Sequence, residues 1–110
     1  MGKRDITERK FVTRVREFLG SEFPTAEVES EVYQSTDRFV DFVVKGGSFT
    51  IMVEVEDCAD DVKNGIMQAQ MYSWSNPESM AMVVYPEGTG SVDPEVKGAC
   101  PSVGVIQIDA

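Results

Sequence analysis

Phe39-Val40-Asp41-Phe42-Val43-Val44-Lys45-Gly46-Gly47-Ser48-Phe49-Thr50-Ile51-Met52-Val53-Glu54-Val55-Glu56 is the stretch that decides how this chain folds. Two runs of β-branched and aromatic residues, Phe39 to Val44 and Phe49 to Val55, flank Gly46-Gly47, a tight-hairpin signal. Side chains two apart on a strand share a face, so Glu54 and Glu56 point the same way. Counting back from Gly46-Gly47 as the turn sets Asp41 roughly opposite Met52, a diagonal step from Glu54. An acid inside an apolar strand is costly unless it has a partner. Carboxylates crowded together repel and raise one another's pKa, so a divalent cation held by Asp41, Glu54 and Glu56 is the economical explanation. Magnesium or manganese suits such an all-oxygen set. The plain alternative is an acidic, solvated strand end, since acids continue from Glu54 to Asp61 and edge strands carry charge for solubility.

Outward from the hairpin, the remaining elements follow from periodicity. Asp5-Ile6-Thr7-Glu8 has capping-box spacing and opens a helix to about Leu19, with Phe11, Val15, Phe18 and Leu19 on one face and Gly20 as its stop. Phe23-Pro24 makes a break, and Ala26 to Tyr33 alternates as a strand. After the hairpin, Asp60 to Trp74 takes helical period, with Val62, Ile66, Ala69 and Ser73 as its small-apolar face. Met67, Met71 and Trp74 beside it form a core or dimer-interface stripe. Asn76-Pro77 ends that helix, Ser79 to Tyr85 is a buried strand, Glu95 to Lys97 a short helical turn, and Val103 to Ile108 the last strand. The order α-β-β-β-α-β-(α)-β predicts a single α/β domain over residues 1–110, a central mixed sheet flanked by helices.

Composition narrows the chemistry. Of the 110 residues none is histidine, which removes Ser-His-Asp and Cys-His triads and zinc sites built on imidazole. Carboxylates around a hard cation are then the natural route to hydrolysis. Cys58 and Cys100 are too few for a disulfide scaffold, so a reduced, cytoplasmic protein is expected. No apolar run is long enough to span a membrane, so no membrane partner is expected. The net charge of −9 opposes general nucleic-acid binding, which needs Lys and Arg. Set against it, Lys3, Arg4, Arg9, Lys10, Arg14 and Arg16 concentrate at the very start of the chain. Gly88 and Gly90 lack the lysine and following helix of a phosphate-cradling loop.

Asp41, the Gly-Gly turn and Ile51-Met52-Val53-Glu54-Val55-Glu56 together resemble the D…(D/E)-x-K core of the PD-(D/E)XK, restriction-endonuclease-like, nuclease superfamily. Gln68-Ala69-Gln70-Met71-Tyr72 is similar to the Q-x-x-x-Y helix of type I restriction enzyme nuclease domains. Thr7-Glu8-Arg9-Lys10-Phe11 is similar to the helix start of archaeal Holliday-junction resolvases, whose glutamate completes the acid cluster. The resemblance covers roughly residues 5 to 85. It implies a restriction-endonuclease-like fold, a Mg2+ or Mn2+ site on Asp41, Glu54 and Glu56, Glu8 as an outer acid and Gln68 as a positioning group. The chain departs from the pattern where the superfamily's lysine is replaced by Glu56. That residue would serve as a further ligand or as the base, as in restriction enzymes that carry E-x-E. Lys45 and Lys63 are the candidate migrated lysines, although Lys63 stands about 140° around the helix from Gln68.

The expected function is therefore metal-dependent cleavage of duplex or branched DNA by a homodimer or as part of a larger complex. The competing expectations are a catalytically inactive binding or assembly module on the same fold, and an acidic DNA mimic.

Overall fold

In the computed structural model, which describes residues 6–34 and 38–109 with side chains over 9–31 and 40–109, five strands form one mixed sheet in the order β1-β2-β3-β4-β5. The chain runs α1 (Ile6–Glu22), β1 (Glu27–Gln34), β2 (Arg38–Lys45), β3 (Thr50–Val55), a 3-10 turn (Ala59–Asp61), α2 (Val62–Ser75), β4 (Met80–Pro86), α3 (Pro94–Gly98) and β5 (Val103–Ile108). β1, β2 and β3 pair antiparallel, whereas β3, β4 and β5 pair parallel. β3 is thus the central strand and the one at which direction changes. The expected element order holds, and the α/β class with it.

Both faces of the sheet are covered. On one face α1 lays Phe11, Val15 and Leu19 over Phe42, Val44, Ile51, Val53, Val55 and Val84. On the other, α2 sets Val62, Ile66 and Ala69 against Ala81, Val83, Tyr85 and Val103. A smaller cluster of Val40, Val43, Met52 and Tyr72 joins α2 to the hairpin. Burial on both faces explains why β2 and β3 read as nearly continuous apolar runs rather than as alternating ones. Each fully buried residue of this kind stabilises the fold by about 1.5–3 kcal/mol.

Three expectations are corrected. Gly20 does not stop α1, which continues to Glu22; the Phe23 N–H then bonds the Leu19 carbonyl and the chain turns. Gly46-Gly47 is not a two-residue turn. Lys45 pairs with Thr50, and the loop between them, closed by the Gly46 N–H on the Phe49 carbonyl at 2.9 Å, has four residues. Phe49 is the cause. Its ring stacks at 5.8 Å from that of Phe23 and folds back over Gly46, where a side chain would collide with it. The longer loop moves the register by two residues: Val43, not Asp41, faces Met52, and the pairing ends at Phe42 with Val53. One further step sets Asp41 level with Glu54. Finally, of the core or dimer-interface alternatives for Met67, Met71 and Trp74, exposure removes the core one, Trp74 being 72% exposed, and Tyr72 takes the buried place.

Among the described residues no helix is long and apolar enough to cross a membrane.

Candidate metal centre on the α2 face of the sheet

Two acidic side chains are buried among the described residues, and they are Asp41 and Glu54, 7% and 5% exposed. Alternation decides where they point. Val43 and Met52 form a facing pair that packs on Tyr72 of α2, so Asp41, Glu54 and Glu56, in phase with them, face α2 as well. Glu54 stands on the central strand beside Val83 of β4, so the solvated edge-strand alternative for this residue does not apply.

Asp41 is fixed by the backbone. The Glu56 N–H bonds the Val84 carbonyl on β4, so alternate N–H groups of β3 point toward β4 and that of Val55 points toward β2. There the ladder has already ended. Asp41 Oδ2 accepts the Val55 N–H at 2.8 Å and replaces the missing rung. On the far side of β2 the ladder is interrupted at the same level: Glu31 of β1 adopts φ 51°, and no pairing joins it to Asp41. A left-handed residue inside a strand is an uncommon, costly conformation of the kind found at bulges.

Glu54 carries the electrostatic tension. Burial, then the charges of Asp41 and Glu56, push its pKa up from 4.5 to about 9, against a hydrogen bond from Tyr72 that favours the ionised form. A further hydrogen bond joins it to Asp41. At neutral pH without a cation, Glu54 therefore holds a proton and hydrogen-bonds Asp41 through it. Glu54 Oε1 is buried and has no hydrogen-bond partner among the described residues. An unsatisfied buried acceptor costs about 1–3 kcal/mol.

Glu56 is half-buried and lies across α2 at Gly65. Gly65 itself is buried and costs the helix about 1 kcal/mol relative to alanine. Gln68 is half-buried and falls on the same helical stripe, one turn from Gly65 and one turn from Tyr72. α1 lies on the opposite face of the sheet; the side chain of Glu8 lies outside the described residues, as do Lys3 and Arg4. Neither candidate lysine reaches the carboxylates. Lys45 sits at the hairpin end of β2, paired with Glu29 at 3.3 Å, and Lys63 is exposed and lines a groove of about 310 Å³ with Ile66, Met67 and Val96. Of the basic helix, Arg14 bonds Asp109 at 2.6 Å and Arg16 lies 5.5 Å over the Phe42 ring; Arg9, Lys10 and Arg16 are exposed.

The three carboxylates do not close on a common point as tightly as the alternation suggested. The described group whose donor atoms all lie within 4.8 Å of one another is instead Asp57, Cys58 and Asp61, in the loop after β3. It could accept an ion, but Cys58 Sγ donates to Asp61 at 3.2 Å and that bond raises the thiol pKa, a poor state for a ligand. This loop is braced from β4: the Ala59 N–H bonds Thr89 Oγ1 at 3.1 Å, and Thr89 bonds the Pro86 carbonyl at 2.9 Å. Thr89, Gly65 and the contact of Tyr72 with Glu54 escaped the sequence reading. Only Tyr72 carried a signal there, its place four residues after Gln68. The chain matches no family model and no curated protein.

Proposed function

We propose that the protein is a divalent-cation-dependent phosphodiesterase of restriction-endonuclease-like architecture that cleaves DNA. The observation that carries this reading is the Asp41–Glu54 pair: two buried carboxyls on adjacent strands, one of them with an oxygen that no described residue satisfies. Polar groups are rarely buried in this state unless a ligand completes them. The donor chemistry fits Mg2+ or Mn2+, and Asp41, Glu54 and Glu56 are the residues that would hold it. When bound, such an ion polarises a phosphate and lowers the pKa of water.

The chain's own residues prepare the site. The Val55 N–H holds Asp41 in one orientation, and the Tyr72 hydroxyl does the same for Glu54. Glu56, half-buried and reachable from solvent, is the base that would take a proton from the attacking water in place of the missing lysine. Gln68, half-buried between Gly65 and Tyr72, would position the substrate. Support for the architecture comes from the element order and from the switch from antiparallel to parallel pairing at β3, with the carboxylates at that point.

The test is cleavage of supercoiled, linear and four-way-junction DNA with Mg2+ or Mn2+. Activity should vanish in Asp41→Asn and in Glu54→Gln. Wild-type protein that takes up no Mn2+ in a calorimetric titration at pH 8 would sink the reading.

A second reading, a catalytically silent assembly module on the same fold, is favoured by the exposed Met67, Met71, Trp74 and Met80. It predicts Mn2+-independent self-association or partner binding and no cleavage of any of those substrates.

A further inference from the structure

α2 crosses the sheet above the carboxylates, and the residue at the crossing is Gly65. A Cβ built there would stand 2.9 Å from Glu56 Cγ, 2.9 Å from Glu56 Oε1 and 3.0 Å from Val83 Cγ1. The two separations from Glu56 are ones that real Cβ atoms essentially never show, and the one from Val83 is tighter than most. Val83 is the β4 neighbour of Glu54 and is fully buried under the helix. The Glu56 side chain therefore occupies the volume that any other residue at 65 would fill. Glycine is among the poorest helix formers, its φ here is not of the kind that demands glycine, and it lies in the interior of a 14-residue helix. Close approach is what remains to explain it.

We infer that Gly65 is a positioning residue: its missing side chain opens a slot in α2 that seats Glu56 on the same face of the sheet as Asp41 and Glu54, from which it would join them on a cation. The inference deepens the metal-site reading and rests on it. One observation beyond the clustering of the acids points to a ligand: Glu54 Oε1 is buried without a hydrogen-bond partner among the described residues. The slot also accounts for the departure from the lysine pattern. A glutamate one strand period beyond Glu54 would swing into solvent over a helix with a side chain at 65; over glycine it lies down along the helix.

The experiment is a double-mutant cycle on the full chain with wild type, Gly65→Ala, Glu56→Ala and the double variant, each titrated with MnCl2 by calorimetry and unfolded thermally without metal. Gly65→Ala alone should weaken Mn2+ binding at least tenfold, as Glu56→Ala does, and the double variant should bind no worse than Glu56→Ala. Without metal, Gly65→Ala should melt below wild type, whereas the same change should raise the melting temperature in the Glu56→Ala background. Should Gly65→Ala fail to fold, recovery of folding in the double variant supports the slot, and continued failure overturns it. The inference is also overturned if Gly65→Ala binds Mn2+ as wild type does, or if it costs a further tenfold in the Glu56→Ala background, which would trace its effect to Val83. Wild type that binds no Mn2+ overturns the metal site and the inference together; wild type that binds it beside an unaffected Gly65→Ala overturns the inference alone.

Discussion

Asp41 and Val55 are joined by a single bond, side-chain Oδ2 to backbone N–H at 2.8 Å, at the point where β2 and β3 stop pairing. A carboxylate that finishes a ladder has a structural task besides any chemistry, and the two tasks separate by substitution.

Asp41→Ala leaves the Val55 N–H buried without an acceptor and should cost about 1–3 kcal/mol. Asp41→Asn retains an acceptor oxygen and removes a charge that opposes ionisation of Glu54, so it should stay within about 1 kcal/mol of wild type. Urea denaturation of both without metal separates them. Equal stability of the two variants would mean that the Val55 bond contributes nothing.

Stability should fall as pH rises. Glu54 has a pKa of about 9 when folded against 4.5 in the free side chain, so the folded state holds a proton that the unfolded state releases. The contribution is fully present below about pH 4.5 and is lost on the way to about pH 9, with a slope of up to about 1.4 kcal/mol per pH unit. Glu54→Gln should flatten this part of the profile and be more stable than wild type at pH 9 in EDTA. Denaturant midpoints from pH 5 to 9 test it, and identical profiles would refute the shared proton.

Mn2+ must displace that proton. Its affinity should rise with pH up to about 9, by up to tenfold per unit, and calorimetry in buffers of different ionisation enthalpy should detect close to one proton released per ion at pH 7. Tyr72→Phe, which removes the hydrogen bond that favours ionised Glu54, should shift the affinity profile to higher pH. A pH-independent affinity would place the ion elsewhere, with Asp57, Cys58 and Asp61 the next group to examine.

Glu31→Gly should stabilise the protein, contrary to the usual cost of glycine in a strand. Glu31 is exposed and has φ 51°, a conformation that costs a side chain about 1–2 kcal/mol and glycine little. A gain of roughly 0.5–1 kcal/mol in urea is expected, partly offset by the freer unfolded chain. A loss would show that the Glu31 side chain itself anchors the strand.

The elements were legible in the sequence because each carries its own period: Val103–Ile108 was read to the residue, and the other strands to within one. The register between them was not legible. It hangs on whether Phe49 belongs to the strand or folds back over Gly46, and Phe49 suits both by propensity; only its tertiary contact with Phe23 decides. The acids of the site could be named because an acid among valines is conspicuous. Gly65 and Tyr72 could not be ranked by the same logic, since a helical period treats glycine as a break and does not single out one tyrosine as the partner of an acid. The small-apolar face of Val62, Ile66 and Ala69 does meet the sheet, and Gly65 beside it allows the close approach.

Trp74, the single tryptophan, stands 72% exposed on the outer side of α2. Its indole is already in water in the native state, so its fluorescence should change little in wavelength when the chain unfolds, and circular dichroism is the better probe of folding. The same indole is a clean optical reporter for anything that covers α2: a blue-shifted, acrylamide-protected emission at rising protein concentration, or with an added partner, would register docking on that face without a label.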